Sequence, residues 1–244
     1  MIYLKLFSSE SEYLTYRDSK DYLKPNVSLS DDNGSVYYNY PPKPKPNGHD
    51  YVDLDLPNGT LWATMNIGAS KPSDVGLYFQ WGDTSGYTSN QVGKDKQFKW
   101  ADYKWSIDGS DSNFRKYKTT GATLELEDDA AHVHMGGDWH MPTPDQIREL
   151  LNNTTNTWTT SDDGVNGRLF TSKKDGSKSI FIPAAGSAWG GSVVNLGSDG
   201  DVWSSVLSSS GVGVGQGLDF GSDNASLGNG SYRSGGLSVR GVLG

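Results

Sequence analysis

The side chains best placed to do chemistry lie between residues 125 and 140. His132 and His134 stand two apart, a spacing that on a strand turns both imidazoles to one face, with Asp128, Asp129, Asp138 and His140 close by. Hard and borderline cations accept such donors. The simpler account places these groups in loops ahead of a helix, hydrogen-bonded to backbone, so no metal ligand is assigned. Glu125 and Glu127, also two apart, have the look of a glycosidase carboxylate pair. Solvation at the surface explains them at less cost, because no second pair points to a pocket. Ser204-Ser205 lacks the glycine frame of a nucleophile elbow. Zero cysteine removes thiol nucleophiles, disulfides and Cys-ligated zinc or iron–sulfur centres. No catalytic residue and no cofactor is therefore assigned, and the chain is expected not to be an enzyme.

Aromatic rings are the other chemical resource. Of 244 residues only 34% are hydrophobic but 11% are aromatic, so a few large rings must carry much of the core. Trp62, Trp81, Trp139, Trp158 and Trp203 could stack on sugars, yet their strand-like contexts make them core residues. Lys+Arg 21 against Asp+Glu 29 leaves −8, which argues against a nucleic-acid partner. No apolar run reaches the roughly 20 residues of a membrane span. The opening Met1-Ile2-Tyr3-Leu4-Lys5 lacks an apolar signal core, so no signal peptide is expected.

Elements must hold these groups in place. Residues 1–40 read as an attachment or oligomerisation unit. Ile2, Leu4 and Leu6 alternate as in a strand, and Ser9-Glu10-Ser11-Glu12 is a capping box opening a helix to about Arg17. Asn33-Gly34 supplies a tight turn between strands at Val27 and at Val36-Tyr37-Tyr38. So short a unit buries too little to stand comfortably alone. The Pro-rich segment 41–47 then forms a stiff linker. In the main domain, 48–244, Thr143 caps a helix with Pro144 at its first position, and Ile147, Leu150 and Leu151 form its apolar stripe. Short strands are expected at Thr60-Leu61-Trp62-Ala63-Thr64, Leu77-Tyr78-Phe79-Gln80-Trp81, Trp158-Thr159-Thr160 and Ser179-Ile180-Phe181-Ile182.

Residues 201–244 hold 11 Gly and 10 Ser, a linker-like composition. Yet Val202-Trp203-Ser204-Ser205, Leu218-Asp219-Phe220 and Leu237-Ser238-Val239-Arg240-Gly241-Val242 show period-two spacing of apolar residues. A disordered tail has no reason to keep that period, so ordered strands are expected here.

Several of these segments resemble a known family. Gly48-His49-Asp50-Tyr51-Val52-Asp53-Leu54-Asp55-Leu56-Pro57-Asn58-Gly59-Thr60-Leu61-Trp62-Ala63-Thr64 is similar to the opening of the Fibrobacter succinogenes major paralogous domain. This is a C-type-lectin-like family of gut Bacteroidetes and their phages. The likeness continues at Phe79-Gln80-Trp81-Gly82-Asp83, Gly136-Gly137-Asp138-Trp139-His140-Met141-Pro142-Thr143, Ile182-Pro183-Ala184-Ala185-Gly186 and Gly236-Leu237-Ser238-Val239-Arg240. His140 replaces the family's usual Arg and Gly241 its usual Pro, neither within the apolar framework. The resemblance implies an α+β C-type lectin fold with a small N-terminal α/β appendage. The leader is more distantly similar to those of phage and prophage proteins of the same bacteria.

Proteins of this kind are often variable proteins of diversity-generating retroelements, which rewrite adenines near the 3′ end of a target gene. AAY codons can then become Ser, Gly, Asp, Val or Tyr, but never Lys, Glu, Gln, Met or Trp. Within a variable region over 202–240, the resemblance assigns ligand binding to Val206, Gly211, Val212, Gly213, Val214, Gly215, Gly217, Asp219, Gly221, Asp223, Ser226, Gly228, Gly230, Ser231, Tyr232, Ser234 and Gly235, all reachable from AAY. Gln216 is not, and belongs to the framework. Contact is expected through Tyr232, Asp219 and Asp223 across a shallow surface. The implied function is binding of a host-surface protein or polysaccharide by a virion component such as a phage tail protein. Residues 1–47 would join it to a virion scaffold or to copies of itself. The alternative is an extracellular carbohydrate-binding or adhesin module on a bacterial surface.

Overall fold

The computed structural model describes residues 45–228 and 230–244, together with the backbone of Asn26–Ser28 (β1) and Tyr37–Asn39 (β2). The expected strand at Ile2–Leu6, the helix from Ser9 and the turn at Asn33-Gly34 lie outside the described residues. The chain divides into two compact units, Met1–Lys45 and Pro46–Gly244. In the first, β1 and β2 pair antiparallel, Val27 opposite Tyr38.

The second unit opens on a short turn at Pro46–Gly48. Asn47 Nδ2 donates to the Met135 carbonyl, and Trp139 Nε1 donates to the Pro46 carbonyl at 3.0 Å. The strands Tyr51–Asp53 (β3), Leu61–Ala63 (β4) and Tyr78–Phe79 (β5) follow. Next come two helices, Ala130–Met135 (α1) and Pro144–Asn153 (α2). A meander of Thr154–Thr160 (β6), Asn166–Ser172 (β7) and Ser179–Pro183 (β8) is followed by the hairpin Ser187–Trp189 (β9) and Ser192–Val194 (β10). The chain ends in Gly200–Leu207 (β11), Val214–Phe220 (β12), Ala225–Leu227 (β13), Ser231–Tyr232 (β14), Leu237–Ser238 (β15) and Val242–Leu243 (β16).

This architecture corrects the expected α+β C-type lectin fold. Among the described residues strands hold 34% and helices 13%, and the largest sheet curls into a half-barrel. That sheet runs β13-β12-β11-β15-β5, with β14 on the outer edge of the other half of β12. The physical reason lies in long-range pairing: β11 takes β12 as one neighbour and the distant β15 as the other, and β15 in turn pairs β5, which gathers separate segments into one sheet.

Helix α2 forms where its signals placed it. Thr143 Oγ1 accepts from Gln146 N at 3.2 Å, and Gln146 Oε1 accepts from Thr143 N at 2.9 Å, a reciprocal capping box. Ile147 and Leu150 are fully buried. Glu149, on the same helix, is buried too, and its carboxylate accepts from Thr60 Oγ1 at 2.6 Å and from Asn58 N.

Strand β11 lies between two cores. Val202 joins Trp62, Ile147, Leu150, Phe170 and Leu218, while Trp203 points the other way to Phe79, Trp81, Trp139 and Leu237. Trp62, Trp81, Trp139 and Trp203 are inaccessible, as their strand contexts implied, whereas Trp158 is half-buried.

The glycine excess has a packing cause. A Cβ on Gly200 would stand 2.0 Å from the Phe220 ring, on Gly236 2.3 Å from Phe98, and on Gly215 2.7 Å from Trp81. The strands are thin where rings lie across them. Burying one ring gains about 4–6 kcal/mol of transfer free energy. The backbone entropy of a strand glycine costs about 1 kcal/mol or less. Ring burial wins, so the segment is ordered despite its linker-like composition.

Candidate functional site

The histidine pair does not form a metal site. His132 and His134 lie on α1 rather than on a strand, and two helical residues that far apart face nearly opposite ways. His132 Nδ1 meets the Trp139 carbonyl at 3.2 Å, and His134 Nε2 meets the Thr84 carbonyl at 2.8 Å. Asp129 caps α1, accepting from His132 N at 3.0 Å and from Met141 N at 2.9 Å. Among the described residues, one group of carboxylates is close enough to hold a cation: Glu125, Glu127 and Asp128. Lys116 Nζ already sits among them, at 2.6, 3.2 and 2.6 Å. Ser204 and Ser205 are buried, and the Ser204 carbonyl accepts from Trp81 Nε1 at 2.9 Å.

The residues assigned to ligand binding separate by depth. Asp223, Ser226 and Tyr232 are exposed. Val206, Gly211, Val212, Val214, Asp219, Gly221, Gly230 and Ser231 are half-buried, and Gly213, Gly215, Gly217, Gly228, Ser234 and Gly235 are buried. A Cβ on Gly217 would lie 2.5 Å from the Val202 carbonyl oxygen, and on Gly235 2.7 Å from the Trp189 ring. These buried glycines shape the surface from below instead of presenting a side chain to a ligand.

The same residues also separate along the sheet. Tyr232 pairs with Val214 at one end of β12, and Ser226 with Asp219 near the other. Five residues at about 3.3 Å each put the two ends about 17 Å apart. Tyr232 and the pair Asp219 and Asp223 therefore do not meet in one patch.

At the first end stands an aromatic cluster. Tyr232 is 52% exposed. Its ring centroid is 5.9 Å from that of Trp100 and 5.9 Å from that of Trp189, with interplanar angles of 67° and 86°. Trp100 rests in turn on Tyr103 and Phe114, each 5.7 Å away. Beneath them lies Arg233, fully buried, with its guanidinium 4.2 Å from the Phe114 centroid and 5.2 Å from that of Tyr103. Arg233 Nε donates to Tyr103 Oη at 2.8 Å, and Nη1 donates to the Val212 and Tyr117 carbonyls at 3.0 and 3.1 Å. Burial lowers the guanidinium pKa and raises that of the Tyr103 phenol.

Backbone bonds fix the turn that carries Tyr232. Arg233 N donates to the Gly213 carbonyl at 3.0 Å, and Gly235 N to the Tyr232 carbonyl at 2.8 Å. Trp81 N donates to the Arg233 carbonyl at 3.0 Å, and Gln80 Nε2 to the Ser234 carbonyl at 2.8 Å. Arg233 points down and Tyr232 points out, as neighbours on a strand must. Trp100 and Trp189 escaped the sequence reading because they lie outside the recognisable strand runs. Their polar settings, Lys99-Trp100-Ala101-Asp102 and Trp189-Gly190-Gly191, were the signal of partial exposure.

At the other end Asp201 and Asp219 face each other across β11 and β12 beside an open cavity of about 370 Å³, which Asp199 and Asp223 also line. Burial, then the neighbouring carboxylate, pushes Asp201 up to about 7, and burial pushes Asp219 up to about 6. A protonated carboxyl can donate to its partner, which lets two acids share a half-buried site.

Among the described residues no helix is long and apolar enough to cross a membrane. No family model, no curated protein and no solved structure matches the chain.

Proposed function

We propose that this chain is a recognition protein, a phage or prophage virion component that binds a host-surface protein or polysaccharide and catalyses no reaction. The observation that carries this reading is Tyr232, an exposed aromatic on a turn held by a buried arginine and four backbone or amide hydrogen bonds. An exposed ring on so fixed a support contributes contact area with little ordering cost. The retroelement origin rests on the alphabet of the outward side chains. Val206, Val212, Val214, Asp219, Asp223, Ser226, Ser231 and Tyr232 are all reachable from AAY.

Individual contacts on such a surface are weak. Several copies joined through residues 1–47 would raise the effective affinity without any new contact. Binding of the fluorescently labelled chain to a panel of intact gut bacteria tests the reading. Saturable binding to some strains supports it, and its absence from every strain, with the chain displayed multivalently, overturns it.

The second reading, an extracellular carbohydrate-binding or adhesin module, draws on the same aromatic cluster. A neighbouring reverse-transcriptase gene with a near-copy of the final coding segment favours the virion reading over it.

A further inference from the structure

We infer that Trp100, Tyr232 and Trp189 form a stacking subsite for a neutral pyranose of a surface polysaccharide. This rests on the recognition reading above and names the ligand class for that site. Tyr232 stands at 67° to Trp100 and at 86° to Trp189, an angular group of rings in place of a flat plateau. A pyranose presents an apolar face of C–H groups to a negative ring face, and hydroxyls at its rim. Tyr232 Oη and Trp100 Nε1 make no hydrogen bond to any described residue, so both polar tips are free to meet those hydroxyls.

The surroundings favour a saccharide over a protein partner. A stable protein interface buries about 800 Å² on each side around an apolar centre. Here the strands flanking Tyr232 offer Gly213, Val214, Ser231 and Gly235, which add little side-chain contact. Stacking with peripheral hydrogen bonds suits a small polar ring, whereas a protein partner would find few anchors here beyond the three rings themselves. Charge points to a neutral sugar. Arg233, beneath the cluster, is buried with carbonyl and hydroxyl partners, and the chain carries −8 overall. An anionic polysaccharide would meet a chain of its own sign.

The test uses the full chain and a bacterial strain that it binds. Cells are treated with periodate, which cleaves vicinal diols of pyranose rings, or with proteinase K. Binding is compared for the wild type, Tyr232→Ala, Trp100→Phe, Trp189→Ala and, as a control on an exposed turn outside the assigned surface, Asp162→Asn. The expected result is loss of binding after periodate and retention after proteinase K. Tyr232→Ala and Trp189→Ala should each weaken binding about tenfold or more. Trp100→Phe, which keeps a ring but removes the indole N–H, should weaken it about threefold, and Asp162→Asn should leave it unchanged. Thermal melting of each variant separates a lost contact from a lost fold. Binding that survives periodate but not proteinase K overturns the saccharide assignment while leaving the recognition reading intact. Failure of the wild type on every strain overturns the recognition reading itself.

Discussion

The guanidinium of Arg233 lies 4.2 Å from the ring centroid of Phe114, and no carboxylate pairs with it among the described residues. A buried cation satisfied only by rings, carbonyls and a phenol couples three separate loops, at Tyr103, Tyr117 and Val212. Replacing it leaves a cavity and several unpaired acceptors. Arg233→Ala should therefore cost about 3–5 kcal/mol of unfolding free energy in urea titration. Arg233→Lys should recover only part of that, because an ammonium cannot reproduce the planar fork. A loss below about 1 kcal/mol for Arg233→Ala would show that the cation is not what holds the turn.

Gly215 and Gly211 offer a matched pair. A Cβ on Gly215 would meet Trp81 at 2.7 Å and Trp203 at 2.9 Å, while nothing lies within 4 Å of one on Gly211. Gly215→Ala should cost about 1–3 kcal/mol by overpacking. Gly211→Ala should be neutral or stabilising by up to about 1 kcal/mol, since it restricts the unfolded chain. Equal effects at the two sites would contradict the ring-over-glycine account of this segment.

The acid pair gives stability a pH dependence of defined sign. Asp201 and Asp219 have folded pKa values pushed up to about 7 and about 6, above the unfolded value of about 3.9. The folded state holds these protons more tightly, so the stabilisation is complete below about pH 4 and is lost as pH rises through about 6 to 7. Burial also raises Asp129, with the same sign. Asp128, held low by Lys116, Tyr117 and Lys104 against its own desolvation, acts only at more acid pH. The melting temperature should fall between pH 5 and pH 8, and Asp219→Asn should flatten that decline. Arg168, which lies near Asp223, keeps its charge throughout this range. A melting temperature that rises over the same window would contradict the assignment.

If the 3′ coding segment is rewritten at adenines, sister variants should differ mainly where a side chain can reach outward. Positions such as Val214, Asp223, Ser226 and Tyr232 should vary freely. Gly215, Gly217 and Gly235 should stay small because of what lies over them. Sequencing the locus across related isolates checks this. Substitutions spread equally over all four template bases would contradict the retroelement origin.

What the sequence made legible was local. Helix α2 was readable because Thr143, Pro144 and the Ile147 and Leu150 stripe all act within one or two turns. The strands of the C-terminal segment were readable because their apolar residues alternate. The fold class was not, because it depends on long-range pairing. Strand β15 enters parallel to β11 through Val202 and Ser238, then pairs β5, and no local pattern encodes that choice. Helix α1 was misread from its histidines although Asp129-Ala130-Ala131 carried a capping signal. At the candidate site, Tyr232 stood out as the one aromatic among the assigned residues. Its partners Trp100 and Trp189 come from distant segments, and only folding brings their rings within 5.9 Å of it.

The most direct test of the recognition account is a binding isotherm on intact bacteria for the wild-type chain and for Tyr232→Ala. The account predicts saturable wild-type binding, about tenfold or greater weakening in Tyr232→Ala, and a cooperative melting transition lowered by only a few degrees. Binding by Tyr232→Ala as tight as the wild type's would contradict it.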